Sequence, residues 1–333
     1  MIEVLRAGVL TTVQDLGRIG SQHYGVPVSG AMDTLSLRAA NLLAGNAEGA
    51  AALEFTLDGP TLRFEHDALI AICGGEFAAL IDGVEVPAAR PVWLSANSEL
   101  QLGACRRGCR GYLAIAGGID VEPVLESRST YLRAGFGGLQ GRSLRRGDRF
   151  GFGRPATVAY PGVRAKLRER GAHSATPHWA ANLHPERLTR SPQVIRFVPA
   201  RHWENLDTEA RANFLASEYR IGANSDRMGY RLEGADLETV SGAHAVSEGV
   251  VFGTIQLPPD GSPIVLMADR QTTGGYPRLG EVAGVDLPLL AQLKPGDSLR
   301  FEKLALAEAQ RLWLVQEESV AQLRESIRAH VDQ

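Results

Sequence analysis

The chain has 333 residues, 44% of them hydrophobic and 22% charged, with a formal net charge of −3 at pH 7. At roughly 100–200 residues per domain this length predicts two domains, and a pI near 6.3 argues against a dedicated nucleic-acid binder. No apolar run reaches the roughly 18 residues that suggest a membrane span. The opening Met1-Ile2-Glu3-Val4-Leu5-Arg6 lacks the basic and long apolar regions of a secretory leader. Three cysteines are an odd number, too few for a disulfide framework and suited to a reducing compartment. The expectation is a cytoplasmic protein with neither nucleic-acid nor membrane partners.

In chain order, residues 31–44 read as a helix. Met32, Leu35, Ala39, Leu42 and Leu43 recur at helical spacing, and Gly45-Asn46 supplies a stop. Short strand-like runs follow at 61–64, 68–72, 77–81, 84–87, 92–94, 99–102 and 110–116. Asp82-Gly83 between two of these runs is a hairpin signal, because a type I′ turn needs positive φ at both central residues. Spacing this regular predicts a sandwich or closed barrel rather than βαβ units. Cys105 and Cys109 sit beside Arg106, Arg107 and Arg110. That setting suits either a lowered thiol pKa or two ordinary cysteines flanking a turn at Gly108. His173, His178 and His184 are scattered and form no zinc set, so no metal site is expected.

Residues 154–192 hold five prolines, three of the eight histidines, and seven Arg/Lys against two Glu, which reads as a linker or excursion. Beyond it, 193–198, 250–257, 263–268 and 298–301 read as strands and 209–217 as a helix. Residues 304–331 read as a helix with a stripe of Leu312, Val315, Val320, Leu323 and Ile327. Arg146-Gly147-Asp148-Arg149-Phe150 closes the first half, and Pro295-Gly296-Asp297-Ser298-Leu299-Arg300-Phe301 closes the second. These matching ends point to an internal duplication. The expected divisions are 1–153, 154–192, 193–303 and 304–333.

Nucleotide signatures are missing. Gly137-Gly138-Leu139-Gln140-Gly141-Arg142-Ser143 has Arg where a P-loop places Lys, and neither a dinucleotide fingerprint nor a G-x-S-x-G elbow occurs. Three polar, glycine-rich clusters remain. The first is Thr11-Thr12-Val13-Gln14-Asp15-Leu16-Gly17-Arg18, continuing through 25–33. The second is Asn224-Ser225-Asp226-Arg227-Met228-Gly229-Tyr230-Arg231, and the third is Ala268-Asp269-Arg270-Gln271-Thr272-Thr273-Gly274-Gly275-Tyr276-Pro277. Such loops bring backbone N–H groups close to an anion or carbonyl oxygen. The same glycines equally serve turns, with polar side chains satisfying nearby backbone.

These clusters, together with Glu54-Phe55-Thr56-Leu57-Asp58-Gly59-Pro60, Ala116-Gly117-Gly118-Ile119, Ser127-Arg128-Ser129-Thr130, Glu248-Gly249-Val250 and Gly253-Thr254-Ile255-Gln256, carry a resemblance. In order from about Val4 to Phe301, the chain resembles the subunit-2 family of allophanate-hydrolase-like proteins, also called the biotin-dependent carboxyltransferase family. That family includes the C subunit of 5-oxoprolinase, KipA and the carboxyltransferase half of urea carboxylase. Three positions depart from the family pattern. Glu126 stands where Gly often precedes Ser-Arg-Ser-Thr, Gly74-Gly75-Glu76 where Gly-Ala-Asp is usual, and Ala200-Arg201-His202 lacks a Gly-Pro pair.

The resemblance implies a mainly β fold of two cyclophilin-like β-barrel subdomains in tandem, with short helices and a C-terminal helix. It implies a heteromer with a subunit-1 homologue (KipI-like, the B subunit of 5-oxoprolinase) and with an A subunit of LamB/YcsF type. ATP would be a co-substrate, held on this chain or on another subunit. The reaction would be 5-oxo-L-proline + ATP + 2 H₂O → L-glutamate + ADP + phosphate. On this reading the site lies at the interface of the halves. Asp33, Asp226 or Asp269 would orient a lactam N–H or move a proton. Gln271, Thr272 and Thr273, with the Gly274 and Gly275 amides, would stabilise an oxyanion. Arg128, Arg227 and Arg270 would hold carboxylate or phosphate, with Tyr276 beside them. Two alternatives stand beside it: a carboxyltransferase acting on urea or a related amide with biotin on a separate carrier, and a KipA-like binding protein without turnover. No Met-Lys-Met biotinyl motif occurs in the chain.

Overall fold

In a computed structural model describing residues 1–154, 159–169, 173–182, 191–237 and 246–331, Asp82 and Gly83 both take positive φ, 48° and 83°. They join the strand Ala68–Ile81 to Val84–Glu85 as the expected hairpin. Ala68–Ile81 is one strand of 14 residues, and Glu99–Ile115 one of 17, paired antiparallel along most of their length. The sequence had divided each of them in two, because Gly74-Gly75 and Gly108 read as breaks. Gly74 is instead a bulge: its φ is 108°, the register shifts between Gly74 and Glu76, and a Cβ there would lie 2.5 Å from the Arg110 carbonyl oxygen. Cys105 and Cys109 therefore lie inside a strand, Cys105 half-buried and Cys109 buried, and among the described residues neither is in a disulfide.

The chain divides into two units. The first comprises Met1–Arg18, Asp33–Pro185 and Glu318–Gln333; the second comprises Ile19–Met32 and Glu186–Glu317. The first is built on an eleven-stranded sheet. It includes three strands that sequence patterning did not single out, Ile2–Arg6, Leu10–Gln14 and Ala52–Thr56. Ile2, Val4, Phe55, Phe64, Ile70 and Ile115 are among its buried core. Part of the proline-rich stretch packs as ordered structure on this unit. A helix spans Pro161–Glu169, Ser174–Ala175 pairs with Pro91–Leu94, and the Trp93 indole donates to the Ala159 carbonyl at 3.1 Å. Residues 155–158, 170–172 and 183–190 of that stretch lie outside the described residues.

The second unit is a closed seven-stranded barrel, and Gln193–Pro199 closes it by pairing parallel with Ser298–Lys303. Antiparallel pairs run from Gln193–Pro199 through Arg278–Val282, Thr254–Gln256, Ile264–Leu266, Gly229–Glu233 and Tyr219–Ile221 to Ser298–Lys303. Closure leaves no exposed edge. Buried Phe197, Trp203, Phe214, Tyr219 and Phe301 form an aromatic cluster in its core, with Phe214 stacked on Phe301 at 4.8 Å. The run 250–257, read as one strand, is interrupted by Gly253 at φ 88°, and only Thr254–Gln256 joins the barrel.

One turn is built twice. Asp148 accepts from Arg145 N at 2.7 Å, Asp297 accepts from Lys294 N at 3.0 Å, and the preceding Gly147 and Gly296 have φ of 87° and 92°. Each turn leads directly into a strand, Arg149–Phe152 or Ser298–Lys303. The last helix runs Leu306–Val331. Of its expected stripe, Val320 and Ile327 are buried, whereas Val315 is exposed. Among the described residues no helix is long and apolar enough to cross a membrane.

Candidate functional site

The apolar strand Ile264–Leu266 ends in Met267-Ala268, still buried, and the backbone keeps pairing beyond it. Met267 N donates to Met228 O at 2.9 Å, and Asp269 N to Arg227 O at 2.7 Å. This register sets the Arg227 and Asp269 side chains against each other. The guanidinium binds the carboxylate through Nε–Oδ2 at 2.9 Å and Nη2–Oδ1 at 3.1 Å, with the two residues 6% and 4% exposed. Arg227 Nη2 also donates to the Gly30 carbonyl at 2.6 Å, so the pair ties the 25–30 loop to the barrel. All three clusters read from the sequence thus contribute to one buried fork, the first through its 25–33 continuation.

The neighbouring Arg270 is 7% exposed. Its nitrogens reach three carbonyls, those of Val250, Met267 and Ala268, at 3.4–3.5 Å. Burial lowers its pKa to about 10, against the pull of Glu281 and Asp269, and it remains charged at neutral pH. The chain then rises to a two-stranded ribbon in which Thr273–Gly274 pairs with Glu248–Gly249, and Val250 N donates to Thr272 O at 3.1 Å. Gln271 and Thr272 are half-buried, Gly274 is buried, and Thr273, Gly275 and Tyr276 are exposed.

Other polar residues around this ribbon were missed by sequence reasoning. Arg278 binds Glu281, with its Nε at 3.1 Å, and approaches Glu248 at 3.5 Å; Thr254 Oγ1 donates to Glu281 Oε2 at 2.7 Å. Burial nevertheless pushes the Glu281 carboxyl above its usual range. Gln256, 1% exposed, has an Nε2 with no hydrogen-bond partner among the described residues, and a Cβ at position 274 would lie 2.4 Å from that nitrogen. The only sequence signal for Gln256 was its place in Gly253-Thr254-Ile255-Gln256. Arg278 and Glu281 gave none beyond being charged residues in a glycine-containing strand.

Three expected site residues have structural partners. Asp33, in the first unit, caps the helix Thr34–Leu43 by accepting from Ser36 N at 2.9 Å and Ser36 Oγ at 2.7 Å. Asp226 is exposed, and its Oδ1 accepts from Met228 N at 2.7 Å and Gly229 N at 3.3 Å, which shapes the turn into the strand Gly229–Glu233. Arg128, also in the first unit, donates from Nε to Val121 O at 2.9 Å and from its backbone to Asp15 Oδ2 at 2.6 Å. Asp15 further accepts from Gly17 N at 2.8 Å, from Ser127 Oγ at 2.7 Å and from Ser129 Oγ. Those four donors occupy the carboxylate and lock Ser127-Arg128-Ser129-Thr130 against the first cluster. Among the described residues no group of three or more His, Cys, Asp or Glu is placed to hold a metal ion.

Residues 24–303 match the family described as carboxyltransferase domain, subdomain A and B. The chain is 36% identical over 312 residues to the C subunit of 5-oxoprolinase from Haemophilus influenzae, covering 94% of each chain. It is 38% identical over 309 residues to the C subunit of 5-oxoprolinase from Escherichia coli, covering 93% of each. The crystal structure of the K. lactis urea amidolyase superposes with a TM-score of 0.83 at 30% identity, over 97% of this chain and 20% of that much longer one. The barrel, the large sheet and the motifs that run through both are those of a known family: the chain belongs to the carboxyltransferase-domain family, subdomains A and B.

Proposed function

We propose that the chain is the C subunit of an ATP-dependent 5-oxoprolinase complex in the cytoplasm, which opens the lactam of 5-oxo-L-proline to L-glutamate. The observation that carries this reading is end-to-end correspondence. The two 5-oxoprolinase C subunits are matched over 94% and 93% of their own lengths, whereas the chain accounts for 18% of the urea amidolyase of Lachancea kluyveri. Its partners are the KipI-like B subunit of the complex and an A subunit of LamB/YcsF type, and ATP is a co-substrate of the assembly.

In this role Arg227 and Asp269 are the frame, fixing the 268–277 segment to the barrel. Gln271, Thr272 and Thr273, with the Gly274 and Gly275 amides and Tyr276, form the loop that faces substrate at the strand end. The lactam carbonyl gains negative charge as its C–N bond is opened, and donors fixed in advance around that oxygen lower the barrier. A carboxyl transfer with biotin on a separate carrier is the second reading, supported by 32% identity to the Lachancea kluyveri urea amidolyase over 97% of this chain.

The test is ADP release by the affinity-purified native complex, with and without 5-oxoproline, and an avidin probe of the same preparation. Substrate-stimulated ADP and glutamate with no biotinylated band is the expected result. A biotinylated band without stimulation would transfer the assignment to carboxyl transfer. Silence in both arms with partners still bound would leave a KipA-like binding protein.

A further inference from the structure

Two buried donors in the barrel unit are left without the acceptors their chemistry calls for. Among the described residues the enclosed Gln256 Nε2 has no hydrogen-bond partner, so the fold bears the desolvation cost of an amide N–H₂ with no return. Arg270 is a buried cation, and among the described residues it has no salt bridge. Asp269 is taken up by Arg227, and Glu281 by Arg278 and Thr254. The carbonyls it touches lie at the long limit of hydrogen bonding.

The two donors border the same residue. Arg270 Nε points at the Val250 carbonyl. The Val250 side chain and Gln256 Nε2 lie 3.2 and 2.4 Å from where a Cβ of residue 274 would stand, so only glycine there lets the amide pack against the backbone of the ribbon. Thr273 and Gly275 on either side are exposed, so one buried residue of the ribbon separates the amide from solvent-facing neighbours.

We propose that Arg270 and Gln256 together receive a carboxylate beneath the Thr273–Gly274 strand; resting on the 5-oxoprolinase reading, this is the carboxylate of the lactam substrate. A guanidinium fork matches the two oxygens of a planar carboxylate, and the amide N–H₂ supplies a further donor. Charge selects carboxylate over phosphate. One guanidinium that among the described residues has no salt bridge balances one negative charge, whereas a doubly charged phosphate would be left in excess beside Asp269, Glu281 and Glu248. Gln256 is neutral, so it adds direction without adding charge.

The experiment titrates the co-purified complex, by calorimetry, with 5-oxo-L-proline, 2-pyrrolidinone (the same lactam without its carboxylate), acetate and inorganic phosphate. It is repeated on Gln256→Met, Arg270→Lys and Gly274→Ala. Gln256→Met removes a donor that bonds nothing, so its thermal midpoint is expected not to fall. The expected result is 5-oxoproline binding at least about tenfold tighter than 2-pyrrolidinone, acetate binding ahead of phosphate, and a loss of about tenfold or more for both carboxylates in each variant. Equal affinity for the two lactams, indifference of carboxylate binding to Gln256→Met, phosphate binding ahead of acetate, or no binding of any probe would each overturn the assignment. The site and the activity fail separately. Acetate binding that depends on Gln256 and Arg270 in a complex that releases no ADP with 5-oxoproline sinks the activity and keeps the site. Turnover whose KM ignores Gln256→Met does the reverse.

Discussion

Arg227 and Asp269 show what a buried ion pair costs and what it fixes. Removing both charges from water is expensive, and the forked geometry together with the third bond to Gly30 O offsets that cost. Truncating one partner leaves the other charged and enclosed. Arg227→Met is therefore expected to cost about 3–5 kcal/mol, and the double variant Arg227→Met/Asp269→Leu to recover most of it. Urea unfolding of the three proteins checks this, and a single variant within about 1 kcal/mol of the parent would refute it. Both residues stood out in the sequence as charged members of glycine-rich clusters, but their pairing across 42 positions was not legible there. Gln256 was less legible still. Its distinguishing property is a missing partner, and a missing partner exists only once the surrounding chain has folded.

At the scale of elements, the helix Thr34–Leu43 begins where Asp33 accepts the Ser36 N–H, two residues inside the apolar periodicity that announced it. A residue expected to move a proton is thus also an N-cap, and the two roles separate by substitution. Asp33→Ser keeps a capping oxygen, whereas Asp33→Ala is expected to cost about 0.5–2 kcal/mol. If capping is its whole role, Asp33→Ser retains both the thermal midpoint and the ADP release of the complex; an Asp33→Ser protein that is fully stable but inactive would restore the proton-transfer assignment. Strands were legible where β-branched residues alternate between turn signals, as at Thr61–Phe64 and Pro91–Leu94. They were misread where glycine sits inside a strand. Gly74 and Gly108 look like punctuation in one dimension, but they bend two long paired strands without ending them. Arg278–Val282 was missed because Arg278 and Glu281 flank the buried Leu279-Gly280 pair and break up its apolar pattern.

For the molecule as a whole, resemblance carried more than periodicity did. Tandem β architecture followed from ordered motifs, whereas the closure of the second unit depends on a parallel pair, Gln193–Pro199 with Ser298–Lys303, that no local pattern announces. That pair is drawn from the two ends of the barrel, so its loss opens the whole ring. A chain ending at residue 297 is expected to lose the near-UV dichroism of the Phe197–Trp203–Phe214 cluster and to unfold without a cooperative barrel transition. A native-like spectrum from that fragment would show that closure is dispensable. The assignment of Ile19–Met32 to the second unit and of Glu318–Gln333 to the first reaches further than folding. No single breakpoint in the coding sequence divides this polypeptide into two self-sufficient products, since any cut between the units strands a piece of one on the other's fragment. Fission of the gene at one position would therefore yield fragments that must reassociate before both units are complete.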